Sequence, residues 1–323
     1  MNPGGENVAV VGAGRMGTSI AYALAAAGHR VEVFDPVEAA RAAVPERLAA
    51  IEAQLDLAVA VGVHDSLAAA VQRADVVIEA GPERLDAKRE IFAELVRDAP
   101  VWALLATNTS AIPIAEIAAG LPTGERILGT HFWNPPHLVP LVEVVEAETT
   151  GAAAVARMVA FLREAGMRPV HVKADIPGFI GNRLQHAMKR EAIALVAAGH
   201  CTAEALDEVV RHGFGSRLAA IGPLEQADLG GLELTLAIHQ TLMPDLDRTP
   251  VPHPLLVEKV ERGEVGVAVG RGFRDWAPGE AEEVRERVTR ELLRRRASER
   301  TSSNDGMGTV DGVGNQKVRS DAQ

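Results

Sequence analysis

The chain is poor in cysteine, in aromatic residues, in positive charge and in long apolar runs, and each shortage closes off a class of function. Cys201 is the only cysteine, so no internal disulfide can form and no thiolate cluster can hold zinc. No metal site is expected, and a small apolar role suits this thiol. Aromatic residues make up 3% of the sequence and the net charge is −11. A nucleic-acid partner calls for a basic face and for rings on which bases stack, so neither feature suits one. No stretch reaches the roughly eighteen consecutive apolar residues of a membrane span, and mean hydropathy is +0.05. Met1 to Asn7 lacks the basic and apolar regions of a secretory leader. The expectation is a cytoplasmic protein with neither membrane nor nucleic acid as partner. What remains is ordinary: 323 residues, 47% hydrophobic and 24% charged, enough for two domains and a large core.

Asn7 to Val11 is a compact apolar strand that runs into Gly12-Ala13-Gly14-Arg15-Met16-Gly17. Ile20, Ala21, Leu24 and Ala27 then recur at helical spacing until Gly28, and Val31 to Phe34 forms a second strand ending at Asp35. Strand, glycine turn, helix and second strand together make the context in which a Gly-x-Gly-x-x-Gly motif binds a dinucleotide. The pyrophosphate rests on the helix N-terminus, where free N–H groups favour an anion. Asp35 is placed to accept hydrogen bonds from the adenosine ribose, and its charge repels a 2′-phosphate, so NAD is expected over NADP. FAD shares the fingerprint and stays open at this point. Gly12, Gly14, Arg15, Met16, Gly17 and Asp35 are the expected cofactor-binding residues.

Between Pro36 and Ala74 the pattern reads mostly helical, interrupted by Pro45 and by a short strand over Leu57 to Val61. Asp75 to Ala80 reads as a buried strand. Pro82-Glu83 opens a helix that ends before Pro100, and Val101 to Ala106 is the next strand. Its end, Thr107-Asn108-Thr109-Ser110, falls at the ligand-bearing edge of a parallel sheet, beside the nicotinamide half of the cofactor. As an alternative, Ser110 caps the short helix that follows.

Residues 129 to 145 read either as a surface turn with an incidental histidine or as the place of the chemistry. His131 ends one short apolar run, Asn134-Pro135-Pro136 breaks the ladder, and Leu141 to Val145 resumes as a strand containing Glu143. A histidine facing a carboxylate across such a turn is the pairing of a general base whose second ring nitrogen is held by the acid. Ala152 to Glu164 reads as a helix and Pro169 to Val172 as a strand, after which Asp175-Ile176-Pro177-Gly178 changes the composition and marks a domain boundary. A long helix over Phe179 to Ala198 and further helical segments follow, without strand alternation. Residues 280 to 296 form a charged, solvated helix, and Ala297 to Gln323 is expected to be disordered.

With these residues in view, the chain resembles the L-3-hydroxyacyl-CoA dehydrogenase family from residue 7 to about 276. The shared motifs are the glycine fingerprint, the Asn108 to Ser110 strand end, His131-Phe132-Trp133-Asn134-Pro135 with Glu143 twelve residues after the histidine, and Pro177-Gly178-Phe179-Ile180-Gly181-Asn182-Arg183. The resemblance implies an α/β fold: a Rossmann-type NAD-binding domain over 1–175, an all-helical dimerisation and substrate domain over 176–296, and a tail over 297–323. It implies a homodimer that oxidises or reduces a secondary alcohol in a 3-hydroxy acid or 3-hydroxyacyl-CoA, the latter a reaction of fatty acid metabolism. His131 is then the catalytic base, Glu143 its partner, and Ser110 and Asn182 hydrogen-bond partners of the reacting oxygen. Glu83, Lys88, Asn108 and Asn134 join the cofactor-binding set.

Two departures bear on the substrate. The acyl-CoA members carry a lysine-rich helical hairpin between the second and fourth strands, whereas Pro36 to Ala74 holds only Arg41, Arg47 and Arg73. The segment Gly266 to Phe273 also lacks lysine. Pro136-His137 and Gly222-Pro223-Leu224-Glu225 look closer to the branches acting on free acids, L-gulonate 3-dehydrogenase with lambda-crystallin and a pyridine-carboxylate 5-dehydrogenase. Arg183 or Arg217 is then available for a substrate carboxylate. A non-catalytic, crystallin-like NADH-binding protein is the alternative from another class.

Overall fold

The computed structural model describes residues 5–305. Eight strands form one sheet: β1 (Asn7–Val11), β2 (Arg30–Phe34), β3 (Val61–His64), β4 (Val76–Glu79), β5 (Leu104–Thr107), β6 (Ile127–Phe132), β7 (Leu141–Val145) and β8 (Arg168–Val172). Their order is β3-β2-β1-β4-β5-β6-β7-β8. The first six are parallel; β7 runs antiparallel to β6, and β8 parallel to β7. The chain leaves β1 towards β3 and returns on the other side at β4, so the order reverses between β1 and β4. A crevice opens at the C-terminal strand ends there.

Seven helices lie along this part of the chain: α1 (Arg15–Ala26), α2 (Glu38–Ala42), α3 (Val44–Leu55), α4 (Leu67–Val71), α5 (Leu85–Asp98), α6 (Ile114–Ala118) and α7 (Ala152–Glu164). Because successive strand side chains point to opposite faces, β1 feeds two cores. Val8 and Val10 pack with Ile20, Leu24 and Phe161 on one side, and Ala9 and Val11 with Phe92, Leu95 and Leu105 on the other. The doubly covered parallel sheet is the expected Rossmann-type architecture.

After β8 the chain is helical: α8 (Gly181–Ala197), α9 (Ala203–His212), α10 (Pro223–Gly230), α11 (Leu232–Leu242) and α12 (Pro254–Glu261). None of these five helices contains a buried residue. The chain divides into two compact units, Met1–Ala277 and Pro278–Gln323, the second containing α13 (Glu280–Asp305). Among the described residues no helix is long and apolar enough to cross a membrane.

The helical run is interrupted just before Pro45, as expected: α2 ends at Ala42 and Pro45 sits in the first turn of α3, where its missing N–H costs nothing. Other local expectations need correction. The short strand lies at Val61–His64 instead of Leu57 to Val61, because pairing with β2 (Val31↔Val61, Val33↔Val63) sets its register. Val101 and Trp102 are exposed in a turn before β5 instead of opening it. The charged helix α13 runs past Ala297, where the tail was expected to begin, to Asp305. Between residues 280 and 305 there is neither glycine nor proline, so nothing stops a helix that elongates one hydrogen bond per residue. Pairs such as Glu291 with Arg294 and Arg295 support it. The remainder of the expected tail, 306–323, lies outside the described residues.

Candidate active site

β6 and β7 pair so that His131 stands directly opposite Glu143. Both are buried, and His131 Nδ1 lies 2.8 Å from Glu143 Oε2. An ionised carboxylate can only accept, so Nδ1 carries the hydrogen and Nε2 keeps its lone pair for a substrate proton. Glu143 Oε1 accepts from the backbone N–H groups of Ile180 (2.9 Å) and Gly181 (3.0 Å), at the start of α8. Burial pushes the Glu143 carboxyl up, but the His131 hydrogen bond and the Gly181 and Ile180 N–H groups outweigh it and hold the group below its ordinary value. The carboxylate is therefore charged at neutral pH. The contribution of this depressed acid to stability is present above the ordinary glutamate range and is lost only as pH falls through the lowered value.

The aim of those two N–H groups depends on Phe179, whose backbone sits in the left-handed region at φ 51°. A bulky residue there is strained by on the order of 1–3 kcal/mol. Its ring is buried, 5.6 Å between centroids from the His131 imidazole, and Trp133 flanks His131 at 5.5 Å. Two aromatic rings thus pack against the His131 imidazole.

Ser110 lies at the exposed end of β5, and Asn182 in the first turn of α8 donates from Nδ2 to the Ser110 carbonyl at 3.2 Å. This bond draws the strand end and the helix to the same place as the His131/Glu143 pair. Asn108 Oδ1 accepts from Phe132 N at 2.9 Å and so ties the β5 end to β6. Glu83 Oε1 accepts from Thr109 Oγ1 (2.6 Å), Ser110 N (2.8 Å) and Ala111 N (3.1 Å). Burial raises the Glu83 carboxyl, but these donors together with the Lys88 charge prevail and lower it.

The Lys88 ammonium is buried and bonds both oxygens of buried Glu79 at 2.8 and 2.9 Å, with Glu83 Oε2 at 3.6 Å. Thr107 Oγ1 and Gly81 N complete the shell of Glu79 at 2.7 and 2.6 Å. Lys88 therefore acts beneath the strand ends, linking Glu79 to the carboxylate that holds Ser110. Sequence reasoning missed Glu79, Thr107 and Trp133. The available signal for Glu79 was a carboxylate ending an otherwise apolar strand, Val76-Val77-Ile78.

The glycine turn fits a dinucleotide. Gly12 has φ 110°, and a Cβ there would lie 2.6 Å from the Ala80 carbonyl; at Gly17 it would lie 1.8 Å from the Gly12 carbonyl. Only glycine permits this turn and this helix–strand approach. Gly14, the N-cap of α1, is exposed, and α1 has neither a side-chain cap nor an acid in its first turn. Its first N–H groups are left for an anion, with Arg15 exposed and Met16 half-buried beside them. Asp35 receives Ala13 N and Val37 N, each at 2.8 Å, which holds the glycine turn while lone pairs remain for ribose hydroxyls. Asn134 is exposed in the β6–β7 turn. His137 packs back on the cofactor helix, with Nδ1 2.7 Å from Ser19 Oγ and Nε2 3.0 Å from Gln54 Oε1. It braces that turn against α1 and α3.

Comparison with known proteins matches residues 7–176 to the 3-hydroxyacyl-CoA dehydrogenase NAD binding domain and residues 178–276 to the 3-hydroxyacyl-CoA dehydrogenase C-terminal domain. FAD is thereby set aside in favour of NAD. The chain is 33% identical over 297 residues to the 5-formyl-3-hydroxy-2-methylpyridine 4-carboxylate 5-dehydrogenase of Mesorhizobium japonicum, covering 89% of this chain and 96% of that one. It is 36% identical over 284 residues to a probable 3-hydroxybutyryl-CoA dehydrogenase of Bacillus subtilis, covering 84% and 97%. A crystal structure of a 5-formyl-3-hydroxy-2-methylpyridine 4-carboxylic acid 5-dehydrogenase, described as an NAD+-dependent dismutase, superposes with a TM-score of 0.86. It is 32% identical and covers 90% of this chain and 97% of its own.

Proposed function

The chain belongs to the 3-hydroxyacyl-CoA dehydrogenase family, and within it we propose an NAD-dependent dehydrogenase whose substrate is a small free hydroxy acid or hydroxy-aromatic carboxylate instead of a CoA thioester. The observation that carries this reading lies between β2 and β4. That segment has no lysine, and two of its arginines are turned inward: Arg41 bonds the Asp35 and Pro36 carbonyls, and Arg47 bonds the Ala13 carbonyl. Two of the three cations in the segment are thus engaged by backbone carbonyls, and Arg73 alone stays exposed. The similar Mesorhizobium japonicum enzyme is named for a pyridine carboxylate, which supports a free acid as substrate.

Bound NAD supplies the acceptor for the hydride leaving the carbinol carbon. The protein supplies the rest. His131 Nε2 takes the hydroxyl proton, and Glu143 on Nδ1 fixes the tautomer and stabilises the imidazolium that forms. Ser110 and Asn182 hold the oxygen in line, a positioning role. Arg183, exposed beside Asn182 with only a long 3.5 Å contact to the Pro177 carbonyl, is the better placed of the two candidate arginines for the substrate carboxylate.

A panel followed by NADH absorbance tests the substrate class. Small hydroxy acids such as 3-hydroxybutyrate and hydroxy-pyridine carboxylates are expected to turn over with higher kcat/KM than 3-hydroxybutyryl-CoA or acetoacetyl-CoA. Efficient acyl-CoA turnover would overturn the free-acid reading and return the chain to fatty acid metabolism.

The helical region, taken as 176–296, is the proposed dimerisation and substrate domain. Leu184, Leu224, Leu229, Leu232, Leu236 and Ile238 are all exposed, and α8 to α12 bury nothing of their own. Helices with that much open apolar surface call for a partner, and a second copy supplies one. Sedimentation equilibrium is expected to give twice the 34.2 kDa chain mass, while a monomer at micromolar concentration would refute it. A reducing, cytoplasmic location suits a chain with one cysteine, and cell fractionation reads it directly.

A further inference from the structure

We propose that Trp133 is a positioning residue that acts through Glu143 to hold the general base; this rests on the catalytic reading of His131 and Glu143. Glu143 Oε2 is shared between two donors, His131 Nδ1 at 2.8 Å and the indole N–H of Trp133 at 3.3 Å. The terminal torsion of a glutamate is broad, so a carboxylate fixed by few donors can swing and carry the imidazole with it. The backbone N–H groups of Ile180 and Gly181 fix Oε1, and the indole N–H supplies the second donor on Oε2.

The indole is itself held. A Cβ on Gly181 would lie 2.2 Å from Trp133 Cζ2, so the ring rests against bare backbone at the start of α8. The same glycine thus admits the ring and donates its N–H to the other carboxylate oxygen. The Trp133 and His131 rings are tilted by 59°; the indole therefore braces the imidazole from the side while bonding its partner. A phenylalanine here would fill most of the space and donate nothing. In a buried site an acceptor deprived of a donor costs more than an exposed one, because water does not replace the bond.

The test separates the N–H from the ring. Trp133→Phe removes the donor, and benzothienylalanine incorporated at the same position keeps the shape of the indole without its N–H, which guards against a folding defect. Each is also made on a Glu143→Ala background. Kinetics use whichever of 3-hydroxybutyrate and acetoacetyl-CoA the wild-type protein turns over faster, and NMR of the 15N-labelled protein follows the His131 Nδ1–H resonance. Expected are a kcat about tenfold lower in both replacements, the order for loss of one hydrogen bond to a charged group, unchanged KM for NAD, faster solvent exchange at His131 Nδ1–H, and no further loss of kcat on the Glu143→Ala background. The proposal is overturned if the benzothienyl variant keeps wild-type kcat and exchange, or if the loss is as large without Glu143, since the ring would then act by packing alone. An active His131→Ala protein would instead remove the catalytic reading beneath it; an inactive one alongside an unaffected Trp133 variant sinks only the role of Trp133.

Discussion

Replacing His131 with alanine is expected to lower kcat by roughly 10²–10⁴, the usual contribution of a positioned general base, while NAD affinity stays unchanged. The expectation follows from the order of the contacts. Nδ1 is committed to Glu143, so Nε2 is free to take a proton, while Ser110 is a hydroxyl, Asn182 an amide, Glu143 is buried with its oxygens occupied, and Glu83 is held by Thr109, Ser110 and Ala111. Most of the expected cofactor-binding residues lie on other elements, chiefly the glycine turn and the α1 N-terminus, so NAD affinity is expected to survive the loss of the His131 side chain. Turnover by NADH absorbance and NADH binding by fluorescence check the two halves separately. Wild-type-like kcat in the alanine variant would sink the mechanism, and a parallel loss of NADH binding would show that His131 supports the crevice instead.

Lys88→Met should be the most damaging single change to stability, about 3–5 kcal/mol, the cost of leaving one partner of a buried ion pair uncompensated. Both charged groups are withdrawn from water, with side-chain exposures of 1% for Lys88 and 0% for Glu79. Methionine keeps most of the volume, so packing is nearly preserved and the loss isolates the charge. Glu79 would retain only Thr107 Oγ1 and Gly81 N as donors. Adding Glu79→Gln to that variant is expected to restore part of the stability by removing the unpaired charge. Chemical denaturation of wild type, single and double variants decides it; a single-variant loss under about 1 kcal/mol, the range of exposed pairs, would show that the pair is not a structural element. Because Lys88 also lies near Glu83, which holds the Ser110 and Ala111 amides, the folded fraction should also lose kcat.

Much of this is legible in the sequence. The β1–turn–α1–β2 unit follows from short-range periodicity and from glycines whose close contacts admit nothing larger. The His131–Glu143 pairing followed from two strands and a proline-broken turn, and the register sets them face to face. Strand ends were less legible. The apolar Val101-Trp102 reads as strand, yet pairing with β4 begins only at Leu104, because a strand ends where its neighbour ends and not where its own residues stop being apolar. The serine-rich composition after Ala297 resembles a linker, while helix elongation needs only that nothing stops it, and α13 runs on to Asp305.

Three features are legible in the residues alone: a nucleotide turn, an acid at the end of β2, and a histidine twelve residues before a glutamate. Each is a local pattern, set by the period of a helix or strand or by a turn that only certain residues allow. Tertiary structure decided how separate segments converge. It made Lys88 the buried partner of Glu79, directed Arg41 and Arg47 to backbone carbonyls, and gathered His131, Trp133 and the N–H groups of Ile180 and Gly181 onto the carboxylate of Glu143. It also left α8 to α12 without a core of their own. The physical reason is the same in each case: a polar group's role depends on which partners reach it once water is removed, and residues far apart in the chain become partners only through packing.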